Sequence, residues 1–133
     1  AMRLALKDAQ IRAGDIDCLS ASANGSILGD RYEAQAVAAV IDGQAVSLPV
    51  TAIKSMLGET LGASGALQTV ALLAAMREGV LPGIRHLEDL DPDVPLTMAS
   101  PHNQRLDLRC GLINSVGLDG NSCALVVAPC DDR

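Results

Sequence analysis

Lys54 and Glu59 carry opposite charges and lie five positions apart in the most glycine-rich stretch of the chain, T-A-I-K-S-M-L-G-E-T-L-G-A-S-G over residues 51–65. Glycines at this density let a backbone come close to another backbone or to a ligand. A buried charge needs an opposite charge beside it, which predicts that Glu59 pairs with Lys54. The alternative is a catalytic acid or base at Glu59, a role that requires a raised pKa.

Ser22 begins a second stretch whose residues could take part in a reaction, the turn-forming sequence S-A-N-G-S over residues 22–26. An apolar run over residues 16–21 precedes it and predicts a short buried strand, and a loop that follows a strand is a common place for a site. A nucleophilic serine needs a base, and none lies near Ser22 in the sequence. We therefore expect Ser22 to be an ordinary loop serine.

Neither histidine has the surroundings of a metal ligand or a catalytic base. His86 and His102 lie in a proline-rich segment, and neither has a second ligand at chelating spacing. We expect both side chains to be solvated. The sequence therefore predicts no metal and no cofactor.

Cysteine spacing argues against a zinc site or a disulfide framework. The four cysteines are Cys18, Cys110, Cys123 and Cys130. Because no pair has C-x-x-C spacing, reduced thiols are the better interpretation. We expect Cys18 and Cys123 in strand cores and Cys130 in an exposed tail.

Hydrophobic periodicity and turn residues predict an alternation of helices and strands. The predicted elements are a helix over residues 1–12, a strand over 16–21, a helix from residue 30, a strand over 46–50, a helix over 66–77, a short strand over 96–99, and a hairpin of 110–115 with 122–128. Gly14 is the expected C-terminal cap of the first helix, Asp30 with Glu33 the expected capping box of the second, and Asp42-Gly43 its expected end. The helix over 66–77 is apolar on most sides, so we expect it to be buried. This order predicts an α/β domain: a layered, mixed five-stranded sheet with helices on its faces and a C-terminal antiparallel hairpin.

Composition narrows the possible functions. The chain has 133 residues, 49% of them hydrophobic, which fits one globular domain with a real core. Its 10 basic and 16 acidic residues give a net charge of -6 without a basic cluster, so nucleic acid is not an expected partner. No apolar run is long enough for a membrane span and no signal peptide is visible, so we expect a cytoplasmic protein. The uncapped apolar start predicts a piece of a longer chain.

Three longer motifs run along the chain in order. They are I-D-C-L-S-A-S-A-N-G-S-I-L-G-D-R-Y-E-A-Q-A-V from residue 16, K-S-M-L-G-E-T-L-G-A-S-G-A-L-Q over 54–68, and N-S-V-G-L-D-G-N-S-C-A-L-V-V over 114–127. They are similar to I-D-Y-V-N-A-H-G-T-S-T-P-L-N-D-x-x-E-x-x-A-I, K-S-M-x-G-H-x-x-G-A-A-G-x-x-E and N-S-F-G-F-G-G-x-N-A-x-L-V-F. These three patterns belong to the C-terminal half of the thiolase-fold condensing enzymes, the β-ketoacyl-acyl-carrier-protein synthases and their polyketide relatives. The whole chain, residues 1–133, resembles that half, and the family's nucleophilic Cys lies in the half that precedes it.

The departures from the family pattern fall on the chemistry. The resemblance places Ser22 and Glu59 at the family's two His positions, keeps Lys54, and places Gln68 where the family has a helix carboxylate. In the third motif the family's two aromatic gate residues become Val116 and Leu118. The two imidazoles serve the family by donating hydrogen bonds to the carbonyl oxygen of a malonyl thioester as it decarboxylates, and an ionised Glu59 can only accept.

The resemblance implies a role in fatty acid or polyketide biosynthesis, with an acyl carrier protein as a partner and no catalytic residue assigned. The loss of both imidazoles resembles the chain length factors, which pair with an active ketosynthase and shape its acyl tunnel. We expect this chain alone to be inactive and to associate with its N-terminal half or with a partner ketosynthase, as a homo- or hetero-oligomer. The alternatives are an altered acyltransferase or condensing enzyme that uses a Cys from the missing half, and a non-enzymatic interaction domain.

Overall fold

A computed structural model describes residues 1–41, 47–94, 96 and 100–129 of the chain. The helices are α1 (Met2–Asp8), α2 (Ile27–Ile41), α3 (Lys54–Leu57) and α4 (Ser64–Glu78). The strands are β1 (Cys18–Ser20), β2 (Val50–Thr51), β3 (Val80–Leu81), β4 (Gln104–Arg105), β5 (Gly111–Val116) and β6 (Ser122–Val127). Among these residues no helix combines the length and the apolar character that crossing a membrane requires.

The main sheet is mixed, as predicted. Its strand order is β2-β1-β5-β6, with β1 parallel to both β2 and β5 and with β5 antiparallel to β6. Strands β3 and β4 form a separate antiparallel pair. The described part of this sheet has four strands instead of the five predicted. Of the fifth, predicted over residues 96–99, only Leu96 is described, as a buried residue outside any strand, and residues 97–99 lie outside the described ranges.

Both faces of the sheet are covered, and alternate residues of the central strands divide between them. Leu19 and Leu112 pack with α1 and α2 in one apolar cluster. Cys18 and Ile113 pack with Leu72 of α4 in the other. Side chains of consecutive strand residues point to opposite faces, so Cys18 and Leu19 of β1 are both apolar and both buried, one on each face.

The first helix is shorter than predicted, and its end is formed differently. α1 ends at Asp8, and the left-handed residue that follows is Gln10, with a φ of 58°. Gly14 instead lies in a short 3-10 turn, Ala13–Asp15. Asn and Gly are the residues that usually adopt this left-handed conformation. The positions of the apolar residues and glycines therefore predicted the end of the first helix at the wrong residue.

The predicted capping box at the start of α2 is absent, because the helix begins three residues earlier, at Ile27. The hydroxyl of Ser26 accepts the backbone N–H of Gly29 at 3.2 Å and so caps the first turn. Asp30 and Glu33 therefore lie within the helix. Their carboxylates are free to contact the preceding loop. The predicted helix stop at residues 42–43 lies outside the described residues.

The C-terminal hairpin matches its prediction closely. Strands β5 and β6 pair from Gly111 with Val127 to Val116 with Ser122, and Gly120 supplies the positive φ that the turn needs. The prediction for Cys123 was wrong, because its side chain is exposed on the edge strand, whereas Cys18 is buried as expected. Burial raises the pKa of the Cys18 thiol to about 12.

α4 was predicted to be buried, and the structure corrects this. One face, with Gln68, Leu72 and Ala75, packs against the sheet. The opposite face exposes Val70 and Leu73, with 65% and 48% of their surfaces accessible. The second face is thus also apolar, and among the described residues no further layer packs on it, which makes it suited to an interface.

We predict that the 133-residue chain alone is not a free monomer, since the exposed face of α4 favours self-association. Sedimentation at micromolar concentration should reveal species larger than 13.7 kDa. Val70→Glu with Leu73→Glu should shift the chain toward monomer, while Leu4→Glu, at an exposed position on α1, should not. A single 13.7 kDa species in the unsubstituted chain would contradict the prediction.

We also predict that Gly111→Ala destabilises the domain. A Cβ at this position would lie 2.7 Å from Leu72 Cδ2 and 3.4 Å from Cys18 Sγ, so the buried Leu72 side chain or β5 would have to shift. Overpacking of this kind costs about 1–3 kcal/mol in the free energy of unfolding. Gly62→Ala is the matched control, since its Cβ would meet nothing within 4 Å. Urea denaturation at one protein concentration compares the two, and equal midpoints would contradict the prediction.

Candidate functional site

The candidate site lies where three neighbouring strands end. β1, β2 and β5 are mutually parallel, so their carboxyl ends meet at one edge of the sheet. Ser22 follows β1, Lys54 follows β2, and Val116 is the last residue of β5. Ligand sites of α/β sheets form at this edge. The fold therefore brings together residues that are far apart in the sequence.

Lys54 is the centre of the site. Its side chain is 5% exposed, and its ammonium lies 2.9 Å from Glu59 Oε2. It also donates to the Ser22 hydroxyl oxygen at 3.2 Å. The predicted ion pair is thus present. Glu59 satisfies the buried charge of Lys54.

The remaining oxygen of Glu59 stabilises the start of α4. Glu59 Oε1 accepts the Leu61 backbone N–H at 2.7 Å and the Ser64 hydroxyl at 2.6 Å. Leu61 has a φ of 51°, and its bond to Glu59 helps to hold this unfavourable conformation. The hydrogen bonds from Lys54 and Ser64, with the Leu61 N–H and the charge of Lys54, lower the pKa of Glu59 to about 2. An acid–base role would need a pKa shifted in the opposite direction.

Ser22 is buried and fully bonded. Its hydroxyl oxygen accepts the Val116 backbone N–H at 3.1 Å and the Lys54 ammonium at 3.2 Å. Its own hydrogen is directed to the Val116 carbonyl oxygen at 3.4 Å. Ser22 therefore lies in a loop, as expected, and the structure adds that its side chain is buried and hydrogen-bonded. The Lys54 nitrogen donates to Ser22 Oγ and is paired with Glu59, so it is not placed as the base that a nucleophilic serine needs.

Gln68, on α4, lies on the buried side of the site. Its amide nitrogen donates to the carbonyl oxygens of Ala21 and Asn114 at 2.9 and 3.0 Å and lies 3.4 Å from both oxygens of Ser20. Gln68 is completely buried. It joins the ends of β1 and β5 and makes no bond to Lys54 among the contacts the structure describes.

Two carboxylates of α2, which sequence reasoning assigned to a helix cap, organise the loop that carries Ser22. Glu33 accepts the backbone N–H groups of Ser22 and Ala23 at 2.7 and 2.8 Å and the Asn114 side-chain amide at 2.6 Å. Asp30 accepts the Gly25 N–H at 3.2 Å, and burial raises the pKa of Asp30. The sequence did contain a signal for these roles, because D-R-Y-E, with Asp30 and Glu33, and N-S, with Asn114, both lie in the motifs that match the family.

The two predicted gate positions line one cleft beside these groups. The cleft has a volume of about 330 Å³, and its walls include Glu59, Leu61, Val116, Leu118 and Asp119. Leu61 and Leu118 are largely exposed. The described walls combine apolar side chains with two carboxylates and present no imidazole.

The other residues that could carry chemistry do not line this cleft, although His86 lines a neighbouring cavity with Lys54 and Glu59. His86 and His102 are exposed, as predicted. Cys110 is partly buried, and Cys130 lies outside the described residues. No group of three His, Cys, Asp or Glu residues suited to a metal ion occurs in the described ranges.

This fold is that of the thiolase-fold condensing enzymes. The family model Beta-ketoacyl synthase, C-terminal domain, matches residues 1–88. The chloroplastic 3-oxoacyl-[acyl-carrier-protein] synthase II of Arabidopsis thaliana is 39% identical over 127 residues, covering 94% of this chain and 23% of that protein.

Two solved structures are similar to this chain over almost its whole length. The ishigamide ketosynthase/chain length factor has a TM-score of 0.90 and 32% identity, covering 96% of this chain and 31% of that chain. A type II polyketide synthase acyl-carrier protein in complex with its ketosynthase bound to the hexaketide gives a TM-score of 0.91 and 26% identity, covering 97% and 32%. The chain belongs to the β-ketoacyl synthase family through its C-terminal domain, and it spans less than a third of each of these proteins.

The lowered pKa of Glu59 predicts a pH-dependent contribution to stability. Because the folded-state pKa is about 2 and the ordinary value is 4.5, this contribution is complete above pH 4.5 and declines as the pH falls toward 2. Glu59→Gln should melt at a lower temperature than the wild type at pH 7, and the difference should shrink between pH 4.5 and 2. Glu88→Gln, which removes the same charge at an exposed position, is the control. A difference that does not vary with pH would contradict the prediction.

Proposed function

We propose that this chain is the C-terminal domain of a non-condensing β-ketoacyl synthase-like subunit of the chain length factor type, which shapes the acyl tunnel of a partner ketosynthase. The observation that carries the proposal is the Lys54 ammonium held between Glu59 and Ser22. This arrangement uses the groups at both family His positions in contacts within the protein. The fold remains intact around them.

Decarboxylation needs hydrogen-bond donors at the oxygen where negative charge develops. The hydrogen of Ser22 is directed to Val116, and Glu59 is an ionised acceptor. Loss of one such donor reduces the rate about 10²- to 10³-fold, and both are missing here. Glu59 and Asp119 in the cleft wall would also repel the carboxylate of a malonyl group.

A tunnel-shaping role needs no donors, only apolar walls of defined size. Leu61, Val116 and Leu118 supply such walls beside the cleft. Val116 and Leu118 replace the larger aromatic residues of the family motif and leave more space there. We infer that an N-terminal half covers the exposed face of α4, that an acyl carrier protein delivers the chain, and that the assembly is an oligomer.

The experiment reconstitutes the complete gene product with an active ketosynthase, acyl carrier protein and malonyl and acyl substrates, and measures product chain length by mass spectrometry. Val116→Phe and Leu118→Phe should each shorten the products, because a larger ring fills the cleft. Leu90→Phe, at an exposed position away from the cleft, should leave the length unchanged. Unchanged products from both cleft variants would contradict the proposal.

The same assay without the partner ketosynthase tests the alternative of an altered condensing enzyme. Under the proposal, the complete gene product alone releases no carbon dioxide from malonyl-acyl carrier protein. Ser22→His alone should not restore release, because Glu59 still opposes the developing enolate. Release of carbon dioxide by the unsubstituted protein alone would favour a condensing enzyme with altered chemistry and overturn the proposed role.

A further inference from the structure

The hydroxyl of Ser22 binds both backbone groups of one residue in the cleft wall. The Val116 N–H donates to Ser22 Oγ at 3.1 Å, and Ser22 Oγ donates to the Val116 carbonyl at 3.4 Å. Ser22 follows β1 and Val116 ends β5, so these bonds connect the loop after β1 with the end of β5, 94 residues away in the sequence. Only 2% of Ser22 is accessible, which protects the bonds from water.

Val116 is the last residue of β5 that is paired with β6 before the turn that contains Leu118. The paired residues of β5 and β6 end with Val116 opposite Ser122. Beyond them the turn has its own bonds, from Gly117 N–H to Asn121 and from Gly120 N–H to Gly117. Leu118 is 73% exposed at the end of this turn. The position of Val116 therefore determines where the turn begins.

The orientation of the Ser22 hydroxyl is itself determined by its neighbours. The Lys54 ammonium and the Val116 N–H occupy its acceptor sites, so its single hydrogen is left for the Val116 carbonyl. Glu59 holds Lys54, and Glu33 holds the Ser22 backbone N–H at 2.7 Å. A chain of polar contacts thus runs from the start of α4 to the wall of the cleft.

We propose that Ser22 is a positioning residue that fixes Val116 and so sets the width of the cleft, with Lys54 fixing the hydroxyl. This inference rests on the proposed tunnel-shaping function. It gives the residue at a former imidazole position a role that does not involve contact with substrate. Specificity for chain length would then depend on a hydrogen bond behind the wall as well as on the side chains that form it.

The test compares Ser22→Ala with Ser55→Ala in the complete gene product. Ser55 is the matched control because its hydroxyl also donates to one backbone carbonyl, that of Ala52, and accepts one backbone N–H, that of Arg85, but it does not contact the hairpin. Hydrogen–deuterium exchange with residue-level fragmentation should give at least about fivefold faster exchange at Val116 in Ser22→Ala only, the loss expected for one hydrogen bond. The Gly117 amide, bonded to Asn121, is the internal control.

Product chain length in the reconstituted system provides the second measurement. Ser22→Ala should shift or broaden the product lengths, Ser22→Thr, which keeps the hydroxyl, should retain the wild-type length, and Ser55→Ala should not change it. Ser22→Cys, a weak hydrogen-bonding residue of similar size, replaces Ser22→Ala if that variant does not fold. Wild-type exchange at Val116 in Ser22→Ala would overturn this inference but not the proposed function. Wild-type products from Ser22→Ala, while Val116→Phe shortens the products, would do the same. Unchanged products from Val116→Phe and Leu118→Phe would overturn the proposed function.

Discussion

The buried ammonium of Lys54 is the interaction on which the rest of the site depends. A charge with so little access to water is tolerated only with an opposite charge and further hydrogen bonds. Glu59 and Ser22 supply them, and each is thereby committed to a particular position. Glu59 in turn holds the start of α4, and Ser22 holds the end of β5. One desolvated charge therefore organises three separate segments of the chain.

Much of this arrangement follows from the sequence. Two apolar segments joined by a glycine-containing turn predicted the hairpin of β5 and β6, and the glycine-rich stretch with Lys54 and Glu59 predicted their ion pair. The motif from Lys54 to Gln68 placed both residues at the site before any contact was visible. These features are local, or they depend on one strong electrostatic rule, and such features are the ones that sequence patterns record well.

Other features depend on contacts between distant segments and could not be predicted in this way. Asp30 and Glu33 have the spacing of a capping box, but the tertiary structure uses them to bind the loop before the helix, where Ala23 adopts a φ of 37°. Composition suggested that α4 is buried on all sides. Its exposed face becomes evident only when the sheet occupies the other one. Local propensity competes with tertiary contacts, and here the contacts decide.

The amide of Gln68 has a consequence for the evolution of the site. Its nitrogen faces oxygen atoms of Ser20, Ala21 and Asn114, so a carboxylate at this position would face the same oxygens with negative charge. Ser22, Lys54 and Glu59 are bonded to one another, and substitutions of residues in contact are not additive. Replacing Ser22 or Glu59 alone would leave Lys54 without one of its two partners. The change in stability caused by each substitution therefore depends on which residues occupy the other positions, which is epistasis at the level of individual hydrogen bonds.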